Sequence, residues 1–94
     1  MKKLANYING KLVPPLNNNY IDNYSPTNGK VYSLTPDGAE EDVEVAIEAA
    51  KVAFASWGKS KKEYRYKWMM KLADAIDEAA VELIVAESFD NGKP

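Results

Sequence analysis

The sequence predicts an α+β chain in which two short β-strand pairs precede two long amphipathic helices. Residues 1–35 place bulky and polar side chains in short alternating runs broken by Asn, Gly and Pro, the pattern of strands and tight turns. From Glu40 onward the apolar residues recur instead at steps of three and four, which is the helical period. The 94 residues form at most one domain, and at this length the core must be small.

In chain order, Tyr7-Ile8 and Lys11-Leu12-Val13 flank Asn9-Gly10, a pair suited to the positive φ angles of a type I′ hairpin turn. Pro14 and Pro15 end the second strand, because neither can donate to a ladder. Tyr20 to Tyr24 and Lys30 to Leu34 alternate around the turn cluster Ser25-Pro26-Thr27-Asn28-Gly29, giving a second strand pair. Tyr20, Tyr24 and Tyr32 are its expected packed face.

The first helix is expected over 38–57, with Gly38 as N-cap and Glu40, Glu41 and Asp42 placed favourably for the helix dipole. Val43, Ala46, Ile47, Ala50, Ala53, Phe54 and Trp57 make a thin apolar stripe that suits close packing on a sheet or a neighbouring helix. Gly58 stops it. Ser60 and Glu63 have capping-box spacing, so the second helix is expected over 60–91, starting near Lys61. Its apolar stripe runs through Met69, Leu72, Ala73, Ile76, Ala80, Leu83 and Ile84, and Asn91-Gly92 offers a left-handed C-cap.

Twelve Lys and Arg against fourteen Asp and Glu give a net charge of −2. That balance argues against a nucleic-acid or anionic-membrane binder, and the basic cluster Lys59-Ser60-Lys61-Lys62 reads as a solvated helix start. The chain has no Cys and no His, which excludes a thiol nucleophile, a disulfide, a Cys/His zinc site and a His-based triad. The glycines stand singly at turns and caps, so there is no phosphate-binding loop. Asn6 and Asn9 interrupt the positive N-terminus before an apolar run develops. No signal peptide or membrane span is therefore read, and a cytoplasmic location is expected. Asn23-Tyr24-Ser25 has the form of a glycosylation sequon, but Pro26 and the lack of a leader argue against its use.

Particular stretches carry more than this plan. Tyr7-Ile8-Asn9-Gly10-Lys11, Ile21 to Gly29 (IDNYSPTNG), Glu41 to Trp57 (EDVEVAIEAAKVAFASW), the Arg65-centred helix start, Leu72 to Ile76 (LADAI) and Glu87 to Pro94 (ESFDNGKP) occur in this order along nearly the whole chain. Together they resemble the N-terminal segment of the NAD(P)-dependent aldehyde dehydrogenase superfamily, with YIDNYSPTNGKVYSLTPDG most similar to the muconic semialdehyde dehydrogenase branch.

The resemblance implies that these residues are the leading part of an α/β Rossmann-like coenzyme domain. Enzymes of the family oxidise an aldehyde with NAD or NADP through a cysteine adduct, hydride transfer and glutamate-assisted hydrolysis. It also implies that their catalytic and cofactor-holding residues lie beyond position 94, so no catalytic or cofactor-binding residue is assigned here and no cofactor is expected on this chain alone. One site carries over: a structural monovalent cation at Asn23, Tyr24 and Asp90, where oxygen ligands suit a hard ion. The expected partners are the remainder of such an enzyme, or a second copy through an exposed apolar face. The alternative is a free-standing helical-hairpin interaction module.

Overall fold

The computed structural model describes Met1–Pro94 and contains five strands followed by three helices. The strands are β1 (Lys2–Lys3), β2 (Asn6–Ile8), β3 (Lys11–Val13), β4 (Tyr20–Tyr24) and β5 (Val31–Pro36). The helices are α1 (Glu40–Trp57), α2 (Lys62–Glu78) and α3 (Ala80–Asn91). The α+β order is the expected one, with a further strand and a further helix.

β2 and β3 form the antiparallel hairpin, with Tyr7 opposite Leu12 and the turn at Asn9 (φ 53°) and Gly10 (φ 76°). Both angles are the left-handed values that Asn and Gly accept most readily. β4 and β5 pair antiparallel, and β1 adds to the free side of β5 in parallel, giving the order β1-β5-β4. The sequence does not announce β1, because two consecutive lysines carry no alternation and their partner strand lies some thirty residues away.

The β4-β5 ladder is irregular. Asn23 faces Ser33 but Tyr24 faces Val31, so Tyr32 is an extra, bulged residue. The expected face of three tyrosines is corrected by this bulge. Tyr20 lies under the Lys3 ammonium at 4.9 Å, Tyr24 is exposed, and Tyr32 turns to α3.

Helix α1 begins at Glu40, two residues later than expected, with Ala39 rather than Gly38 at the N-cap. The reason is Asp42. Its Oδ2 accepts the Ala39 N–H at 2.9 Å, which fixes where the helix can start, and its Oδ1 accepts the Leu16 N–H at 2.9 Å from the loop after β3. Asp42 is only 6% exposed, and Pro15, beside Leu16, is fully buried. One carboxylate thus joins the hairpin's exit to the helix start. The neighbouring side chains Val43, Ala46 and Ile47 line a groove shared with β2.

The expected capping box at Ser60 and Glu63 does not form. Gly58, Lys59 and Ser60 continue the coil of α1 through the bonds Lys59 N–H to Ser56 and Ser60 N–H to Trp57, so the Ser60 hydroxyl reaches back to the Trp57 carbonyl at 2.6 Å. Lys61 becomes the N-cap of α2, and the Arg65 guanidinium donates to the Ser60 carbonyl across the corner.

The helix expected over 60–91 is broken at Ala79 (φ −95°, ψ 12°). The bonds on each side persist, from Ala79 N–H to Ala75 and from Leu83 N–H to the Ala79 carbonyl, so the chain bends without losing its ladder. Helix-forming residues flank the bend, and periodicity cannot see it. Its effect is tertiary: α3 turns so that Phe89 and Asp90 meet the sheet. Gly92 (φ 76°) then closes α3 as the left-handed cap, its N–H bonded to the Ser88 carbonyl at 2.9 Å.

Pro15 apart, no apolar side chain is buried; the other buried residues are Ser25, Ser33 and Asp42. The accessible surface is 7865 Å², against about 5,400 Å² for a compact monomer of this size. The chain is a slab 49 × 33 × 15 Å with a radius of gyration of 16.8 Å, where about 12 Å is ordinary. Most of the α1 stripe, Phe54 included, therefore has no partner within the chain.

Replacing Asp42 by Ala removes the acceptor of two backbone donors, each bond to a charged acceptor being worth about 1.5 kcal/mol. Amide exchange at Leu16 and Ala39 is expected to quicken roughly tenfold in D42A, and at one of the two in D42N, which keeps one acceptor oxygen. Unchanged exchange at both amides would show that Asp42 does not hold this junction.

Candidate functional site

The groove between the sheet and α3 holds the polar cluster that joins the most distant parts of the chain. Three features build it. The alternation of β4 puts Asn23 opposite Ser33, the bulge brings Tyr32 to the same side, and the bend at Ala79 swings the end of α3 over both. Asp90 Oδ1 accepts the Tyr32 hydroxyl at 2.6 Å and Asn23 Nδ2 at 3.0 Å. Asn23 Nδ2 also donates to Ser33 Oγ at 3.0 Å, and Ser33 is 4% exposed. Phe89 lies against the Tyr32 ring, centroids 6.4 Å apart and tilted 35°. Beside the cluster is an open groove of about 580 Å³, with Leu4, Leu83 and Phe89 on its apolar side and Lys2 and Glu87 at its rim.

The hydrogen bonds set the protonation. The Tyr32 hydroxyl, and after it the Asn23 amide, hold the Asp90 carboxyl below its ordinary range, with partial desolvation opposing them. The same bond from Tyr32 to Asp90, then desolvation and the nearby negative charge, push the Tyr32 phenol above its ordinary value. Charged Asp90 and neutral Tyr32 are therefore the matched pair. The hydrogen bonds of Asp90 to Tyr32 and Asn23 make the cluster a latch between α3 and the sheet.

Of the three residues expected at a cation site, Asn23 and Asp90 are in direct contact. Tyr24 follows Asn23 on β4 with its side chain exposed. Tyr32 and Ser33 are not legible as members, because the bulge brings Tyr32 to Asp90 and the pairing of β4 with β5 brings Ser33 to Asn23.

The α+β segment closed by this latch is matched over residues 13–94 by the aldehyde dehydrogenase family. The chain belongs to that family. It is 41% identical over 93 residues to an aldehyde dehydrogenase of Deinococcus radiodurans, covering 99% of this chain and 18% of the relative. It is also 41% identical over 90 residues to the 2-aminomuconic semialdehyde dehydrogenase of Mus musculus, again covering 18% of the relative. A betaine aldehyde dehydrogenase from Staphylococcus aureus, solved in complex with NAD+, superposes with a TM-score of 0.85 at 37% identity, over 94% of this chain and 18% of that one. The chain thus spans about a fifth of the length of these relatives.

Because Asp90 titrates lower in the folded chain than when unfolded, its contribution to docking α3 is present above the unfolded carboxyl pKa and is lost as pH falls through the folded one. Tyr32, raised in the fold, contributes below the ordinary phenol pKa and loses that contribution as pH rises through its raised value. Carboxyl carbon NMR is expected to show Asp90 titrating below the ordinary aspartate range, and to move it upward more in Y32F than in N23A. An Asp90 titration unmoved by Y32F would contradict the latch.

Proposed function

We propose that this chain is the N-terminal segment of an enzyme that oxidises an aldehyde to a carboxylic acid with NAD or NADP, and that its role in that enzyme is structural. The observation that carries this is the pairing of an uninterrupted match, 96–99% of this chain on 18% of its relatives, with helix faces that nothing in the chain covers. The remainder of a dehydrogenase chain is the partner these faces suit. Strands and helices at this place frame the coenzyme domain, while the reacting groups are supplied from elsewhere.

The residues present do not suit a dinucleotide. Its pyrophosphate needs consecutive backbone N–H groups approached closely through glycine, and here the glycines stand singly: Gly10, Gly29 and Gly92 at positive-φ turns or caps, Gly58 against the Phe54 ring. No step is assigned to the coenzyme on this chain.

A structural monovalent cation suits the sheet–α3 groove better. Asp90 would supply the charged oxygen, its Oδ1 already committed to Tyr32 and Asn23 and its Oδ2 turned to no donor of the chain. Asn23 and Tyr24 would add carbonyl oxygens from β4, and the ion would tie strand to helix in the assembled protein. No helix is long and apolar enough to cross a membrane, and the proposed setting is the cytoplasm.

The test is complementation. The Deinococcus radiodurans relative, expressed without the N-terminal 18% that this chain matches, is expected to be inactive and to regain NAD-dependent aldehyde oxidation when this chain is co-expressed. This chain by itself is expected neither to reduce NAD nor to change fluorescence on adding it. Saturable NAD binding by this chain alone would overturn the structural role.

A further inference from the structure

Three aromatic rings meet at the corner between α1 and α2. Trp57 and Tyr64 meet edge to face at 6.1 Å and 61°, and Tyr64 and Trp68 at 6.3 Å and 70°, so three rings form a continuous ladder from one helix to the next. Lys71 Nζ caps the ladder 4.5 Å over the Trp68 ring. The first two rings line an open groove of about 700 Å³ whose rim carries Lys59 and Lys61. Between Lys59 and Lys71 the chain holds five lysines and Arg65 against the single carboxylate Glu63. This end of the molecule is strongly positive although the whole is not.

The opposite end of α1 is its complement. Glu41, Glu44 and Glu48 fall at positions i, i+3 and i+7, on one flank of the helix, around half-exposed Val45 and Ile47 and a second open groove of about 620 Å³, where three carboxylates outnumber the single cation Lys51. Glu48, the nearest carboxylate of this flank, and Trp57 of the corner are nine residues or about 14 Å apart along α1. That exceeds the roughly 10 Å over which exposed charges interact at moderate salt, so the two patches do not neutralise each other within one molecule.

We propose that the aromatic corner receives the acidic α1 flank of a second copy of this chain. Each surface has an apolar centre and a charged rim of opposite sign, which is the complementarity that steers and orients an interface. Because the two patches differ, the contact is heterologous and joins copies head to tail, so each bound pair leaves one patch free at either end. The proposal concerns this chain as it stands and does not rest on the dehydrogenase reading.

Sedimentation of the 94-residue chain tests it. The wild type is expected to form concentration-dependent oligomers whose association weakens at least about tenfold between low and high salt, as rim charges are screened. The double variants K59Q/K61Q and E44Q/E48Q are each expected to be monomeric with unchanged helix content by circular dichroism. Mixed together they are expected to give a 1:1 heterodimer, since one working patch of each kind remains. A monomeric wild type, association that strengthens with salt, or a mixture that stays monomeric would each overturn the proposal.

Discussion

Asp42 and Asp90 make the long-range side-chain fastenings of a fold in which Pro15 is the one fully buried apolar residue. Asp42 spans 26 residues of sequence to fasten the loop after the hairpin to the start of α1, and Asp90 spans 58 and 67 residues to fasten the end of α3 to the sheet. Between these fastenings the chain is backbone ladder and helix coil, 15 Å thick. A domain with a core derives its cooperativity from apolar area removed from water, at about 25 cal/mol per Å². Here that area remains outside, so charge-assisted hydrogen bonds and strand pairing must define the geometry.

How much of this was legible depends on the range of the interaction. Asn9-Gly10 and Gly92 declare a turn and a cap through their own backbone preferences, and both stand where the sequence puts them. The α1 period is equally local, and the helix ends at Trp57 as expected. What failed was decided by a partner elsewhere. Asp42 reads as one more acid at a helix start until Leu16 is seen bonded to it; Ser60 reads as a cap until the tight corner turns its hydroxyl to Trp57. Ala79 gives no sign of a bend, because the cause lies in the docking of Phe89 and Asp90.

The candidate site repeats that division. Asn23 and Asp90 entered through family resemblance, not through spacing, and nothing local pairs residues 67 apart. Their contact depends on a bulge that adds Tyr32 to the cluster and a bend that delivers α3. The relatives that the chain matches are about five times as long as it is.

Pro15 apart, this chain buries no apolar side chain completely, and the heat capacity of unfolding reads the apolar area removed from water directly. A compact domain of this length would show a sharp endotherm with a change of about 1.2 kcal/mol/K. Scanning calorimetry of the monomeric chain at low concentration is expected to give a broad transition with a change of roughly three quarters of that or less, in proportion to the smaller area removed from water. A sharp two-state endotherm of full size in the monomer would contradict the claim, and would mean that the helices pack on one another as a free-standing domain.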